Sequence, residues 1–462
     1  MTTASRVLVG LLAWGALSFG AVYPWAYWPL AAGCALLGGW LVMATRAWRE
    51  PRPRLLAVAL GAVGVAIAAQ TIPLPYGWFA AISPAGDELL SQLRVGWALH
   101  HSSFQPISLA PSATLTTLAL FLAWGLLIVG LMRGASYMPM QWLVSQLTVF
   151  GLAMALFAIA QRVLAGPGDI AVYGFWRADG YATPFGPFIN RNHFAGWMVM
   201  VLPLSLGAAT ARAQAARGPF AERWRDWLQW LGTPDASRFV FAAVAVLVMM
   251  VALVLSGSRS GLASAVVAIA ALGYFASRGR RRQGRIKRVL PALYLLLVVA
   301  VAVGWVGIDR TVARFGDVRV ELRERVSAWS DTWRIARDFP VAGVGFGSYG
   351  RAMLVYQTAE RHSIYEQAHN EYLQILAEGG ALVALPAGIA AFVLLANVRH
   401  RFRGQDPSSA YWLRAGAAAG LMGIAAQSLF DFSLQMPGNA MMFAVLAAIA
   451  IHRPSVHHAN RV

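Results

Sequence analysis

Apolar runs of about twenty residues recur along the whole chain, separated by short clusters of arginine, and this pattern confines the chain to a fold built in lipid. Only helices or closed barrels satisfy their own backbone groups in hydrocarbon. The runs are continuous rather than alternating in hydropathy, which excludes a barrel. The expected fold is therefore all-α: a polytopic integral membrane protein of about 12 transmembrane helices. The 462 residues are 58% hydrophobic and 13% charged, so each polar group kept beside an apolar block needs a reason.

Apolar runs between charge clusters predict spans at Val7–Val22, Ala26–Ala44, Leu55–Ile72, Leu115–Met132, Leu143–Leu164, Phe194–Ala211, Phe239–Leu255, Leu262–Ala276, Val289–Val306, Leu376–Val398, Tyr411–Phe430 and Ala440–Ile451. Arginines cluster in Arg46–Arg54, at Arg133, and in Arg212–Arg238, Arg278–Arg288 and Arg399–Arg403. All of these fall on one side if the amino terminus is cytoplasmic, and the even number of spans then returns the carboxyl terminus to the cytoplasm. No small-residue cleavage site follows the first apolar run, which reads as a retained helix rather than a signal peptide.

The opposite face then carries three long connections: Pro73–Pro111, Ala165–Asn192 and Ile308–Ile375. The last holds nine arginines and nine acids and is too long for a plain linker. It is expected to fold as a small helical cap, with Val320–Asp338 an amphipathic helix ended by the glycine-rich run Gly343–Gly350. The predicted organisation is residues 1–307 for the first nine transmembrane helices, 308–375 for the loop domain, and 376–462 for the last three helices and a cytoplasmic tail.

Charge and cysteine exclude several functions. A net charge of +18, from 37 arginines and one lysine against 20 acids, would suggest nucleic acid in a soluble chain. In a membrane chain it points instead to anionic membrane lipids and phosphate-bearing substrates, with no nucleic acid. Cys34 is the only cysteine, so an intrachain disulfide is excluded. The nine histidines are scattered without metal-binding spacing, and no βαβ pattern surrounds the glycines of Gly343–Gly350, so neither metal nor cofactor is expected.

Three polar motifs fall on the face opposite the arginine clusters. FGPFINRNHFAG (Phe185–Gly196) places Asn190, Arg191, Asn192 and His193 where the sixth span begins. SGSRSG (Ser256–Gly261) is a tight reversal with Ser258, Arg259 and Ser260 at its tip. AHNEYLQILAEGG (Ala368–Gly380) sets His369, Asn370 and Glu371 at the start of the tenth span. A single arginine at a helix mouth can simply snorkel to headgroups. Two on one face, each among small residues, let a bulky anion approach and offer it planar donor forks, which suits a pyrophosphate. The serine-glycine turn can add backbone donors. His369 is compatible with a packed interfacial residue or with a base, since an ordinary imidazole accepts a proton near neutral pH. Glu378 can be buried structure or chemistry, and Asp431, in SLFDFSLQMPGNA, a cap or an acceptor-site contact.

NRNHFAG, the SGSRSG turn, RDFPVAGVGFGSYG (Arg337–Gly350), AHNEYLQILAEGG and SLFDFSLQMPGN, in this order over residues 180–445, resemble the O-antigen ligase and Wzy-type polymerase superfamily of bacterial envelope glycosyltransferases. The resemblance implies a GT-C-like, multi-pass inner-membrane enzyme with a large periplasmic loop. Such an enzyme takes a glycan from an undecaprenyl-pyrophosphate-linked donor and passes it to an acceptor hydroxyl, on lipid A-core in a ligase, without metal or nucleotide sugar. By the matching motifs His369 would activate the acceptor, and Arg191 and Arg259 would hold the pyrophosphate. Gly380 is followed by Ala381, Leu382 and Val383, where the ligase pattern has a small residue or tyrosine third, which leaves ligase, polymerase and protein O-oligosaccharyltransferase open. Two other classes remain: a transporter of lipid-linked sugar, which would carry charge at mid-membrane depth, and a non-catalytic assembly scaffold.

Overall fold

The computed structural model describes residues 2–45, 51–97, 99, 103–134, 138–165, 171–177, 182–215, 232–279, 318–359, 364–403 and 409–452. The helices of the bundle are α1 (Thr2–Leu17), α2 (Pro24–Ala44), α3 (Pro51–Ala69), α6 (Pro111–Gly134), α7 (Met140–Leu164), α8 (Arg191–Ala215), α9 (Pro234–Ser256), α10 (Arg259–Gly279), α13 (Glu371–Arg401), α14 (Ser409–Gln427) and α15 (Pro437–Ala450). Between them lie the shorter α4 (Tyr76–Ile82) and α5 (Pro84–Leu93), and the cap helices α11 (Val318–Asp338) and α12 (Tyr349–Tyr356). The described strands are two residues each, Leu74–Pro75 paired antiparallel with Phe104–Gln105. The chain is thus an all-α polytopic membrane protein. Among the described residues seven helices are long and apolar enough to cross a membrane, and α1, α3 and α15 are shorter apolar helices. The predicted span Val289–Val306 and most of the cluster Arg278–Arg288 lie outside the described residues, as do His100, His101, His362, His457 and His458.

Apolar side chains point outward along the bundle, as lipid in place of water allows: Leu36, Met43, Val58, Val65, Leu122, Val266, Phe392 and Leu395 are all more than half exposed. Of those seven helices α8 is the most enclosed, its apolar stretch 89% buried, so it runs through the centre of the bundle and carries Arg191 at its first turn. Small residues let its neighbour α14 approach closely. A Cβ added at Gly416 or Gly420 would stand 2.6 Å from the Pro203 carbonyl oxygen or 2.8 Å from that of Met200. Without a hydrophobic drive between helices in lipid, such close backbone packing is what holds them together.

The tenth predicted span departs from a simple crossing. α13 breaks at Gly380, whose φ of 53° and ψ of −161° no side-chain-bearing residue adopts without strain. The break is buried in protein rather than lipid, and its backbone donors are satisfied from outside the helix. Ala381 N–H donates to the Pro340 carbonyl and Leu382 N–H to that of Val341, each at 2.8 Å. The apolar crossing therefore begins after Gly380, and the limb from Glu371 to Gly379 belongs with the cap.

The cap has a core of its own, shared between two distant connections. Phe79, Leu89, Leu90 and Trp97 pack with Ile335, Phe339, Tyr349 and Met353. The amphipathic helix expected over Val320–Asp338 is α11, and the glycine-rich run after it docks on α13. There Gly343 has φ +65°, and a Cβ on it would meet the Glu378 carbonyl at 2.3 Å. Glu378, inside the apolar run, is a structural residue, its Oε1 accepting from Tyr349 N–H at 3.0 Å at the start of α12. Gln70, fully buried at the end of α3, ties the assembly: its Nε2 donates to the carbonyls of Ala342 (2.7 Å) and Glu378 (2.8 Å), and its Oε1 accepts from Phe346 N–H (3.1 Å).

Each of those three bonds contributes about 1 kcal/mol net, and more is lost when a partner is left buried and unpaired. Gln70→Ala is therefore expected to open the cap locally. Hydrogen exchange at the Phe346 amide should accelerate at least about tenfold with the bundle helices unchanged, and unchanged protection there would contradict this role.

Candidate active site

The three motifs and the late segment meet at one end of the bundle. Asn190 precedes α8 and accepts from Asn192 N–H through Oδ1 at 2.8 Å, closing the first turn. Ser258 does the same for α10, its Oγ accepting from Gly261 N–H at 3.1 Å, with Ser260 Oγ 3.5 Å away. The Ser258 hydroxyl also donates to Asn192 Oδ1 at 2.8 Å, so the two helix starts are fastened together. Arg191 and Arg259 are the first residues of these helices and are both partly exposed. Two guanidinium groups thus add to the partial positive charge of two adjacent helix N-termini.

His369 is held in an unusual backbone. Its φ of +51° lies in the left-handed region, which costs a non-glycine residue about 1–3 kcal/mol and persists only where surroundings impose it. They do so from both sides. Ala368 N–H donates to Gln374 Oε1 at 2.9 Å, and Glu371 N–H to the Ser428 carbonyl at 2.9 Å. Asn370 caps α13, its side chain accepting from Leu373 N–H at 3.0 Å. The result aims the ring at Asp431: Nδ1 stands 3.9 Å from Oδ1, an ion-pair separation, with the carboxylate fully buried and the imidazole side chain 28% exposed.

Asp431 is joined to the first motif as well. The Ser433 hydroxyl donates to Asp431 Oδ2 and lies 3.3 Å from the Asn192 carbonyl, to which Gln427 Nε2 donates at 2.9 Å. Phe432 stands edge-on between two imidazoles, 4.8 Å from His193 and 4.9 Å from His369. Burial alone would raise the Asp431 carboxyl. The adjacent His369 ring, the His193 ring and the Ser433 hydroxyl outweigh it and hold the carboxyl below its ordinary value. His193 Nε2, Gln427 Oε1 and Asn439 Oδ1 are buried and have no hydrogen-bond partner in the protein, while His369 Nδ1 and Asp431 Oδ1 face each other at 3.9 Å. Buried polar atoms are otherwise nearly always satisfied, so this concentration marks a place built to receive polar groups.

The sequence-predicted residues thus fall into two groups. Arg191, Asn192, Ser258, Arg259, His369 and Asp431 converge. Glu371 is turned away, its Oε1 accepting from Leu434 N–H at 2.9 Å, which makes it a tie between α13 and the segment after α14. Gln427, Phe432 and Ser433 were not singled out from the sequence; Gln427 and Ser433 are polar residues that flank Asp431 within an apolar stretch, and Phe432 carries no local signal. Among the described residues there is no group of three or more His, Cys, Asp or Glu side chains that could hold a metal ion.

Residues 244–388 match the family model Wzy_C, described as O-Antigen ligase. No curated protein matches the chain. The match spans the second half of α9, the SGSRSG turn, the cap helices α11 and α12 and the His369 motif, and supports the O-antigen ligase superfamily to which the motifs pointed. Arg191, Asn192 and Asp431 lie outside the matched residues and are brought to them by the contacts described above.

The Asp431 carboxyl gives a pH test. Because its folded value is depressed, its contribution to stability is complete above the ordinary carboxyl value of 3.8 and is lost as pH falls through the lower native value. The difference in thermal midpoint between the wild type and Asp431→Asn is expected to be steady from pH 7 to about pH 5 and to shrink below about pH 4. A difference independent of pH would contradict a buried, ionised Asp431.

Proposed function

From the O-antigen ligase domain carried by residues 244–388, we propose that the chain is a polyprenyl-pyrophosphate-dependent glycosyltransferase of ligase type. It moves a glycan from undecaprenyl pyrophosphate to a hydroxyl of lipid A-core at the periplasmic face of the bacterial inner membrane. The observation that carries this reading is the fastening of the Arg191 and Arg259 helix starts to each other, beside a histidine held against a buried carboxylate. A carrier of the same lipid-linked sugar would set its charges at mid-membrane depth, whereas Arg191, Arg259 and His369 stand at or just before helix starts.

In the proposed reaction His369 takes the proton of the acceptor hydroxyl as that oxygen bonds to the anomeric carbon. The bond from this carbon to the pyrophosphate oxygen breaks, and undecaprenyl pyrophosphate leaves with the electron pair, inverting the centre. Negative charge grows on the leaving group as this happens. Arg191, Arg259 and the two helix N-termini stabilise it more in the transition state than in the ground state. Asp431 touches no reacting atom in this scheme; it positions His369 through Nδ1 and stabilises the imidazolium, which leaves Nε2 as the proton acceptor. Neither a metal nor a cofactor takes part.

The test is transfer by the purified protein in liposomes from a defined undecaprenyl-pyrophosphate glycan to lipid A-core. Wild type should form lipid A-linked product and His369→Ala none; longer lipid-linked chains without such product would mean a polymerase. Arg259→Lys should lose activity by about tenfold or more although its charge is kept, because an ammonium cannot reproduce the fork. Near-normal turnover by that variant would sink the bidentate role. Activity should survive EDTA, and its abolition with rescue by a divalent ion would overturn the metal-free scheme.

A further inference from the structure

A second strained site lies next to the first. Four non-glycine residues with positive φ occur among the described residues. One is His369, and the other three are Phe19 (59°), Ala21 (58°) and Tyr173 (58°). These three belong to one place: the turn Phe19–Ala21 after α1, and the connection between α7 and α8. Phe19 and Tyr173 line a cavity of about 580 Å³ with Tyr23, Trp25, Phe175 and Trp176. Strain of this kind is retained at ligand clamps and active sites, where the surroundings impose it.

Six of the nine residues that line the cavity are aromatic, and Leu17, Ser18 and Arg177 complete it. Tyr23 and Trp25 are stacked at 12°, Tyr173 and Phe175 at 24°, and Phe19 and Trp176 meet with centroids 5.0 Å apart. The Tyr173 hydroxyl donates to the Leu17 carbonyl and fixes the connection to the end of α1. Two of the rings remain open at the mouth: Phe175 is 78% exposed and Trp25 54%. Arg177 lies on the same rim. An aromatic belt would set isolated rings at the interface, whereas these meet one another, mostly edge to face, around one concavity, and two of them, Phe19 and Tyr173, are held in strained backbone.

The pocket is joined to the site of His369. Gly20, between Phe19 and Ala21, is so close to Phe188 that a Cβ there would stand 2.9 Å from the ring, and Phe188 lies three residues before Arg191. At the start of α15, Gly438 packs against Gly15 and Gly20, while the next residue, Asn439, donates from Nδ2 to the His193 carbonyl at 3.0 Å. The start of α15 therefore links the turn at the aromatic cavity to the His193 backbone.

We propose that this cavity is a carbohydrate subsite, in which a pyranose of one of the two glycan substrates stacks its C–H face on the Trp25 and Phe175 rings while the reacting groups lie at His369. It rests on the glycan-transfer reading for its ligand class, and the flat aromatic walls with a polar rim suit a ring that is apolar on its faces and hydroxylated at its edge.

The test is direct binding, so that it stands apart from turnover. Saturation-transfer NMR on the full chain in nanodiscs would use two probes: core oligosaccharide freed of lipid A, and the repeat-unit oligosaccharide released from the source organism's surface polysaccharide. Wild type and His369→Ala should bind at least one probe alike, and which one identifies the acceptor or the donor as the source. Trp25→Ala and Phe175→Ala, at exposed rings whose loss leaves the core intact, should weaken that binding about tenfold, and Phe175→Tyr should keep it. Binding unchanged in both alanine variants, or no binding of either probe by wild type, would overturn the subsite. Oligosaccharide binding in a protein that transfers no glycan would leave the subsite standing and remove the transferase reading.

Discussion

The hydrogen bond from the Ser258 hydroxyl to Asn192 Oδ1 fixes the geometry on which the rest of the site depends. In hydrocarbon a helix satisfies its backbone internally except at its ends, so the ends are where a membrane protein can concentrate polar chemistry. Here two ends are locked at 2.8 Å by Ser258, which also caps α10, and by Asn192, in the first turn that Asn190 caps. Their first residues are both arginine, and the most deeply buried span, α8, supplies one of them. A pair of positive helix starts that cannot drift apart needs no reorganisation when negative charge develops between them, which is the physical content of electrostatic preorganisation.

Strain is the second thread. The left-handed backbone of His369 is held by Gln374 and Ser428 on either side, and the Asn370 cap prevents its relaxation into the helix. The cap contributes to the same end. Its glycine-rich run docks on Glu378–Gly380, where α13 breaks, so the short limb carrying His369 is oriented by the cap as well as by the bundle. The aromatic turn at Phe19–Ala21 repeats the device on the other side of the α8 start.

Much of this was legible in the sequence where the signal is local. Hydropathy placed a helix at eleven of the twelve expected spans, with ends off by up to five residues. Seven of these helices are long and apolar enough to cross a membrane, and the interleaved charges of Val320–Asp338 announced α11. Asn190, Ser258 and Asn370 follow from the chemistry of helix starts. What the sequence hid is non-local. That α13 divides at Gly380 depends on carbonyls supplied forty residues earlier by Pro340 and Val341, and hydropathy reads straight through the break. That Phe79, Leu89, Leu90, Trp97 and Leu109 share a core with the cap is set by packing between chain segments more than two hundred residues apart. Glu371 shared a motif with His369 but faces Leu434, because residues two apart at a helix start point in different directions. Ser433 and Gln427 acquire their roles only once α14 brings them onto the Asn192 carbonyl.

The most direct test of the account is an electron cryomicroscopy structure of the full chain in nanodiscs with undecaprenyl pyrophosphate bound. Density for the pyrophosphate between the starts of α8 and α10, within hydrogen-bond reach of Arg191 and Arg259 and facing His369, is the predicted result. Pyrophosphate bound instead at the opposite end of the bundle, or with either arginine turned away from it, would contradict the central claim.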